Sequence, residues 1–166
     1  MARQDVAGFG IGGSLGRSKA DMYNVLEWVI PHLPENKPRH LLGIGQVPDI
    51  FESVRRGVDT FDCVIPTREA RHKVLYTKTG KINLRSVKNL DQIIEKGCRC
   101  LACRDGVTFK KLYHFFLVKN PKGFYYATIH NIAFFAGLMK KIRASLTSGT
   151  FHYLKERYLK FYIRSH

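Results

Sequence analysis

Apolar runs alternate with stretches of helical spacing along the first part of the chain. Val6 to Ile11 and His40 to Ile44 each predict a short buried strand, and Thr60 to Ile65 predicts a third that is apolar apart from Asp62. The alternation indicates an α/β fold, either doubly wound or a barrel, although three strands do not close a barrel.

Helix start and stop signals lie between these runs. Ser18, followed three residues later by Asp21, is typical of the start of one helix. Pro48 suits the first turn of a second helix, and Gly57 is typical of its end. The unit of strand, loop and helix therefore occurs twice.

Beyond Thr67 the pattern changes and becomes more polar. Arg68 to Lys73 predicts a basic loop, Lys78 to Gly80 predicts a turn, and Asp91 to Arg104 contains the cysteine cluster. This stretch indicates an insertion or a subdomain. The prediction divides the chain into residues 1–86, with the strands and ligand-binding loops, and residues 87–166, with the cysteine cluster and two closing helices.

The two closing helices are predicted to be amphipathic. Their apolar faces are expected to consist of Ile132, Phe135, Met139, Ile142 and Leu146 in the first helix and of Phe151, Leu154, Tyr158 and Phe161 in the second.

The composition adds a strong positive charge. The chain has 28 Lys and Arg against 13 Asp and Glu, which gives a formal net charge of +15. Such a bias favours polyanions, so nucleic acid is the first partner to test. No apolar stretch suits a signal core or a membrane span, and we therefore expect a cytoplasmic protein with no membrane partner.

Three of the four cysteines are closely spaced, as Cys98, Cys100 and Cys103. Without a secretory signal disulfides are not expected, and thiols at this spacing can converge on one metal ion. His130, at the expected head of a closing helix, is the best fourth ligand among the histidines. A site of three cysteines and one histidine has no open position, which predicts one structural Zn²⁺. Unconnected reduced thiols are the alternative, and Cys63 is predicted to be a small buried residue.

Asp62 is an ionisable residue in an otherwise apolar run. A buried lone carboxylate is costly, so Asp62 must be paired, capped or exposed at the end of its strand. Ligands bind at the carboxyl ends of strands in α/β folds, which makes Asp62 a candidate nucleophile or base. A structural carboxylate is the alternative.

Basic and glycine-rich segments flank the predicted strands. The arginines in Thr67 to Arg71 suit phosphates and guanine edges because a guanidinium forms bidentate hydrogen bonds. Gly12 and Gly13 allow a ligand to approach the backbone closely. A solvated loop and an ordinary tight turn are the respective alternatives.

Five blocks follow one another along the chain: Gly8 to Gly13, Leu33 to Gly45, Phe61 to Arg68, the three cysteines, and His130 with Asn131. In this order they resemble the tRNA-guanine transglycosylase family of the bacterial or eukaryotic type. The resemblance implies the C-terminal part of a (β/α)8 TIM barrel with an inserted zinc-binding subdomain and C-terminal helices. It also implies a homodimer that exchanges the wobble guanine of tRNA for queuine or its precursor preQ1.

The resemblance implies a role for each matching residue. Asp62 corresponds to the nucleophile that forms a covalent ribosyl-tRNA intermediate, and Gly12 and Gly13 correspond to base contacts. The implied tRNA-binding residues are Gly43, Ile44, Gly45, Gln46, Val47, Pro48 and Asp49 in one segment and Thr67, Arg68, Glu69, Ala70 and Arg71 in another. The implied zinc ligands are Cys98, Cys100, Cys103 and His130.

Two departures from the family bear on activity. The chain corresponds only to the C-terminal half of the family, whose N-terminal half would supply a proton-handling aspartate, so we expect slow catalysis by this chain alone. The loop after Gly13 is one residue short, and Gly16 matches a glycine that favours queuine. The alternatives are a non-catalytic tRNA-binding or partner subunit stabilised by zinc, and a zinc-stabilised nucleic-acid-binding module without enzyme ancestry.

Overall fold

The computed structural model describes residues 5–13 and 15–163. The contacts within the chain separate two compact units, residues 1–64 and residues 65–166. The division predicted from the sequence lies after residue 86, beyond the turn at Lys78. The hairpin around this turn lies in the second unit, where side chains of a helix in that unit bond its backbone.

Unit 1 is a three-stranded parallel sheet with helices in its connections. Its strands lie in the order β1, β2, β3, with Phe9 opposite Arg39 and His40 opposite Thr60. The α/β arrangement predicted from the sequence is thus confirmed, and its strands are parallel. Its elements are β1 (Phe9–Ile11), α1 (Lys19–Val29), a 3-10 turn (Ile30–His32), β2 (Arg39–Leu41), α2 (Val47–Arg55) and β3 (Thr60–Phe61).

The local signals for both helices of unit 1 are confirmed. Ser18 and Asp21 form a capping box at the start of α1, each side chain bonding the backbone of the other residue. Pro48 lies in the first turn of α2. The core of the unit consists of Ile11, Leu26, Ile30, Leu41 and Val58.

Unit 2 is built around one long helix. Its elements are α3 (Ile65–Arg71), β4 (Val74–Thr77), β5 (Gly80–Asn83), a 3-10 turn (Leu84–Ser86), α4 (Leu101–Arg104), α5 (Phe109–Leu117), α6 (Pro121–Thr147) and α7 (Phe151–Tyr162). The strands β4 and β5 form an antiparallel hairpin, which was not predicted, and the predicted turn at Lys78 connects them. α6 contacts α3, α4, α5, α7 and β4. Among the described residues, no helix is both long and apolar enough to cross a membrane.

The third predicted strand is wrong in its extent. Only Thr60 and Phe61 pair with β2, and Ile65 begins helix α3, which includes most of the segment predicted as a basic loop. Pro66 suits the first turn of a helix, and the residues after it include good helix formers. Ile65 and Ala70 are buried on the inner side of this helix, so tertiary packing stabilises it.

The predicted apolar face of α6 is wrong in part, although Ile142 is buried as expected. The helix begins at Pro121, so His130 lies in its third turn rather than at its head. Ile132 and Leu146 are each 50% exposed, whereas the buried side includes Ala127, His130, Asn131, Phe134, Leu138 and Ile142. Two polar residues lie on the buried side because they have partners there, and a pattern of hydrophobicity alone does not detect this. The sequence analysis missed α5, which begins after Thr108 and buries Phe109 and Leu112.

Candidate active site and metal centre

Cys98, Cys100, Cys103 and His130 form a possible metal site in unit 2. Their ligand atoms all lie within 4.8 Å of one another. His130 Nδ1 lies 3.9, 3.6 and 3.5 Å from the Sγ atoms of Cys98, Cys100 and Cys103. Zinc bonds of about 2.3 Å to sulfur and about 2.0 Å to nitrogen place such atoms about 3.5 Å apart in a tetrahedron. The separations therefore fit a tetrahedral ion.

Local backbone geometry brings the three thiols together. Cys100 is the N-cap of α4, and its Sγ accepts a hydrogen bond from the backbone N–H of Cys103 at 3.4 Å. One helical turn therefore places these two thiols on the same side. Gly97, which has a φ of 81°, forms the turn that precedes Cys98. The Cys103 thiol, as a hydrogen-bond donor, holds the pKa of Cys100 well below its usual value.

Backbone contacts orient the histidine of this cluster. His130 is fully buried, and its Nε2 lies 2.9 Å from the carbonyl oxygen of Tyr76. Because a carbonyl only accepts hydrogen bonds, Nε2 carries the proton and the lone pair of Nδ1 points to the thiols. His130 is thus arranged to bind a metal through Nδ1.

Asn131 connects the same helix to two other segments of unit 2. Its Oδ1 accepts a hydrogen bond from the Tyr76 N–H at 2.9 Å, and its Nδ2 donates to the carbonyls of Pro66 and Val74 at 3.0 Å each. Together with His130 it satisfies backbone groups along one edge of β4. This role of Asn131 was not predicted from the sequence, and the signal for it is an amide beside a predicted metal ligand in an otherwise apolar helix.

Asp62 lies just beyond β3, with its side chain 60% exposed. Its Oδ1 accepts a hydrogen bond from the Gly43 N–H at 3.1 Å and lies 3.2 Å from His40 Nε2. The carboxylate is therefore both paired and exposed at the strand end, two of the options expected from the sequence. The role of His40 was not predicted from the sequence, and a histidine at the start of the apolar run from His40 to Ile44 is the signal for it.

Gly12 and Gly13 follow β1 at the same edge of the sheet. A Cβ on Gly12 would lie 2.5 Å from Leu42 Cδ1, so only glycine fits beside this leucine. Gly13 has a φ of 85°, which favours glycine. The glycines after β1, Gly43 after β2 and Asp62 after β3 thus follow the carboxyl ends of three adjacent parallel strands, where ligands bind in α/β folds.

The first predicted tRNA-binding segment is only partly accessible. Gly43 is exposed, whereas Gly45, Val47 and Asp49 are buried. Asp49 Oδ1 accepts a hydrogen bond from the Tyr23 hydroxyl at 2.8 Å and pairs with Lys19 at 3.0 Å. The Asp49 side chain is therefore bonded within unit 1.

The second predicted tRNA-binding segment, Thr67 to Arg71, lies on α3 of unit 2. Arg68 and Arg71 are exposed, while Ala70 is fully buried. Residues three apart on a helix share one face, so the two guanidinium groups form one accessible pair. Cys63 is only partly buried and lies outside the thiol cluster.

Comparisons with known proteins place the chain in the queuine tRNA-ribosyltransferase family. The model of the queuine tRNA-ribosyltransferase family matches residues 1–164. The queuine tRNA-ribosyltransferase of Desulforudis audaxviator is 42% identical over 93% of this chain and 42% of its own length. That of Clostridium botulinum is 42% identical over 96% of this chain and 43% of its own length.

A third relative is a candidate queuine tRNA-ribosyltransferase of Archaeoglobus fulgidus. It is 44% identical over 97% of this chain and 42% of its own length. The chain thus spans about two fifths of the length of the curated relatives it matches.

Proposed function

Because the chain belongs to the queuine tRNA-ribosyltransferase family, we propose that it forms the part of a tRNA-guanine transglycosylase that carries the nucleophile. The observation that supports this most strongly is the position of Asp62. It is an exposed carboxylate, oriented by two neighbours, at the ligand-binding edge of a parallel sheet. The substrates proposed are a tRNA with a wobble guanine and the free base queuine or preQ1.

The reaction proposed is a double displacement at the ribose of the wobble guanosine. An oxygen of Asp62 attacks C1′, a C–O bond forms, and the bond from C1′ to the guanine nitrogen breaks. The guanine leaves with that electron pair and takes a proton from water or from a carboxylic acid outside this chain. A nitrogen of the incoming base then gives up its proton to water or to a carboxylate outside this chain and attacks C1′, and the ester bond from C1′ to the Asp62 oxygen breaks.

Gly12 and Gly13 are proposed to bind the base through their backbone. Both glycines are exposed, and neither has a side chain to cover its peptide groups, so their backbone is accessible to a planar ligand. Gly16 has a φ of 84°, and a Cβ there would collide with Asp21. The glycine is thus explained by the loop before α1, and competition between queuine and preQ1 must decide the preferred base.

The tRNA contacts proposed differ between the two segments. Arg68 and Arg71 are exposed and suited to phosphates and base edges. In the Gly43 to Asp49 segment, Val47 and Asp49 are buried. The backbone near the exposed Gly43 is therefore the part proposed to contact tRNA. The net charge of +15 favours association with tRNA in a salt-dependent way.

The metal proposed is one Zn²⁺ held by Cys98, Cys100, Cys103 and His130. The donor set and the separations fit tetrahedral zinc. Protein atoms fill all four positions, so the ion would stabilise the loop against α6 and would not take part in base exchange. We also propose that the sheet of unit 1 supplies strands of a (β/α)8 barrel, and that the enzyme is a cytoplasmic homodimer.

The test is incorporation of labelled guanine into undermodified tRNA by the purified chain, with Asp62→Ala and Asp62→Asn as controls. We expect slow incorporation by the wild type and none by either variant. A tRNA adduct that survives denaturation and is absent with both variants would identify the covalent step. Incorporation that persists in Asp62→Ala would refute the assignment of the nucleophile.

A non-catalytic tRNA-binding or partner subunit is the second candidate. It is favoured by the net charge of +15 and by the exposed Arg68 and Arg71, which suit tRNA binding without base exchange. Tight tRNA binding with no incorporation, and no effect of Asp62→Ala on either, would support this alternative.

A further inference from the structure

The two oxygens of the Asp62 carboxylate have different surroundings. Oδ1 is bonded by the Gly43 N–H and by His40 Nε2. Among the described residues, Oδ2 accepts no hydrogen bond. A carboxylate held through one oxygen presents the other in a defined direction.

We propose that His40 is a positioning residue that holds Asp62 Oδ1, so that Oδ2 attacks C1′ of the ribose. This inference rests on the proposed function of Asp62 as the nucleophile. The ring nitrogens of His40 bond Thr60 and Asp62, so its role is exerted through Asp62.

The strand register brings the two side chains together. His40 and Thr60 are partners on the adjacent parallel strands β2 and β3. Residues two apart in an extended chain point to the same side, so Asp62 follows Thr60 toward His40. His40 is thereby bonded at both ring nitrogens, with Nδ1 2.9 Å from Thr60 Oγ1 and Nε2 3.2 Å from Asp62 Oδ1.

The hydrogen-bond chemistry determines the tautomer. An ionised carboxylate only accepts hydrogen bonds, so His40 Nε2 must carry a proton. In the neutral ring Nδ1 is then an acceptor, and the Thr60 hydroxyl donates to it. The Thr60 hydroxyl therefore donates to His40 Nδ1, and His40 Nε2 donates to Asp62 Oδ1.

The same donors serve both displacement steps. When Oδ2 forms the bond to C1′, Oδ1 becomes the carbonyl oxygen of the ester and still accepts from Gly43 and His40. When the incoming base attacks C1′, the carboxylate is the leaving group, and these donors stabilise the negative charge that returns to it. The arrangement orients the first step and assists the second.

Two amide variants distinguish the loss of the donor to Asp62 from the loss of the imidazole ring. The amide nitrogen of His40→Gln extends about as far as Nε2, whereas that of His40→Asn extends only about as far as Nδ1 and does not reach Asp62. In labelled-guanine exchange, His40→Asn should lower kcat about tenfold with an unchanged KM for tRNA, since it loses one hydrogen bond to a charged group. His40→Gln should restore kcat to within about threefold of the wild type.

Equal loss in both variants, with lower thermal stability, would mean that His40 has only a structural role and would overturn the proposal. Wild-type rates in His40→Asn would overturn it as well. A wild-type chain with no exchange would instead contradict the proposed function of the chain.

NMR tests the pairing without turnover. In the ¹⁵N-labelled chain, Asp62→Ala should shift both the His40 ring nitrogen and the Gly43 amide resonances, because both donors lose their acceptor. His40→Asn should shift the Gly43 amide less than Asp62→Ala does. Unchanged His40 resonances in Asp62→Ala would refute the pairing, whatever the activity of the chain.

Discussion

Replacing Asn131 by alanine should destabilise unit 2 strongly. The side chain is fully buried and makes three hydrogen bonds, to Tyr76 N, Pro66 O and Val74 O, at 2.9 to 3.0 Å. A typical hydrogen bond contributes about 1 kcal/mol net, and a buried donor left without a partner adds a desolvation cost. We therefore expect a loss of about 3 to 4 kcal/mol in the free energy of unfolding.

Denaturant unfolding in the presence of zinc measures this loss. Far-UV circular dichroism reports mainly on unit 2, which contains the long helix α6, whereas fluorescence of Trp28 reports on unit 1. We expect Asn131→Ala to lower the circular-dichroism midpoint and to leave the Trp28 transition nearly unchanged. Lys140→Ala, at an exposed position of the same helix, is the matched control and should change stability by less than about 0.5 kcal/mol.

A second variant tests the direction of the hydrogen bonds. Asn131→Asp keeps an acceptor for the Tyr76 N–H but turns a carboxylate oxygen toward the carbonyls of Pro66 and Val74, so it should be at least as destabilising as alanine. If Asn131→Ala and Lys140→Ala unfold at the same denaturant concentration, the three bonds do not hold β4 and α3 to the helix, and the reasoning is refuted.

Two further predictions concern the metal and the buried face of α6. Cys103→Ser should abolish bound zinc and lower the thermal stability of unit 2, while Cys63→Ser should keep one equivalent of zinc by chromophoric chelator titration; equal zinc contents would contradict the assigned ligands. Leu138→Ala should cost about 2 to 5 kcal/mol because the side chain is only 1% exposed, whereas Ile132→Ala, at 50% exposure, should cost under about 1 kcal/mol. If Leu138→Ala and Ile132→Ala lower the free energy of unfolding by similar amounts, the buried face of α6 described here is contradicted.

Features that depend on neighbouring residues could be predicted from the sequence. The capping box of Ser18 and Asp21, the proline in the first turn of α2 and the hairpin turn at Lys78 are all present in the structure. The spacing of the three cysteines predicted a common metal site for the same reason, since one turn of chain brings the thiols together. In each case the interacting atoms lie within a few residues of one another.

Features that depend on partners distant in the sequence were decided only by the tertiary structure. The side of α6 that is buried follows from Asn131, whose partner Tyr76 is 55 positions away. The pairing of His40 with Asp62 spans 22 positions and depends on the register of two parallel strands. The segment after Asp62 is apolar enough for a strand, yet it turns into a helix because Ile65 and Ala70 are buried in unit 2. Hydrophobicity along the chain determined which residues need burial, but only packing between elements determined which faces meet and which polar groups find partners.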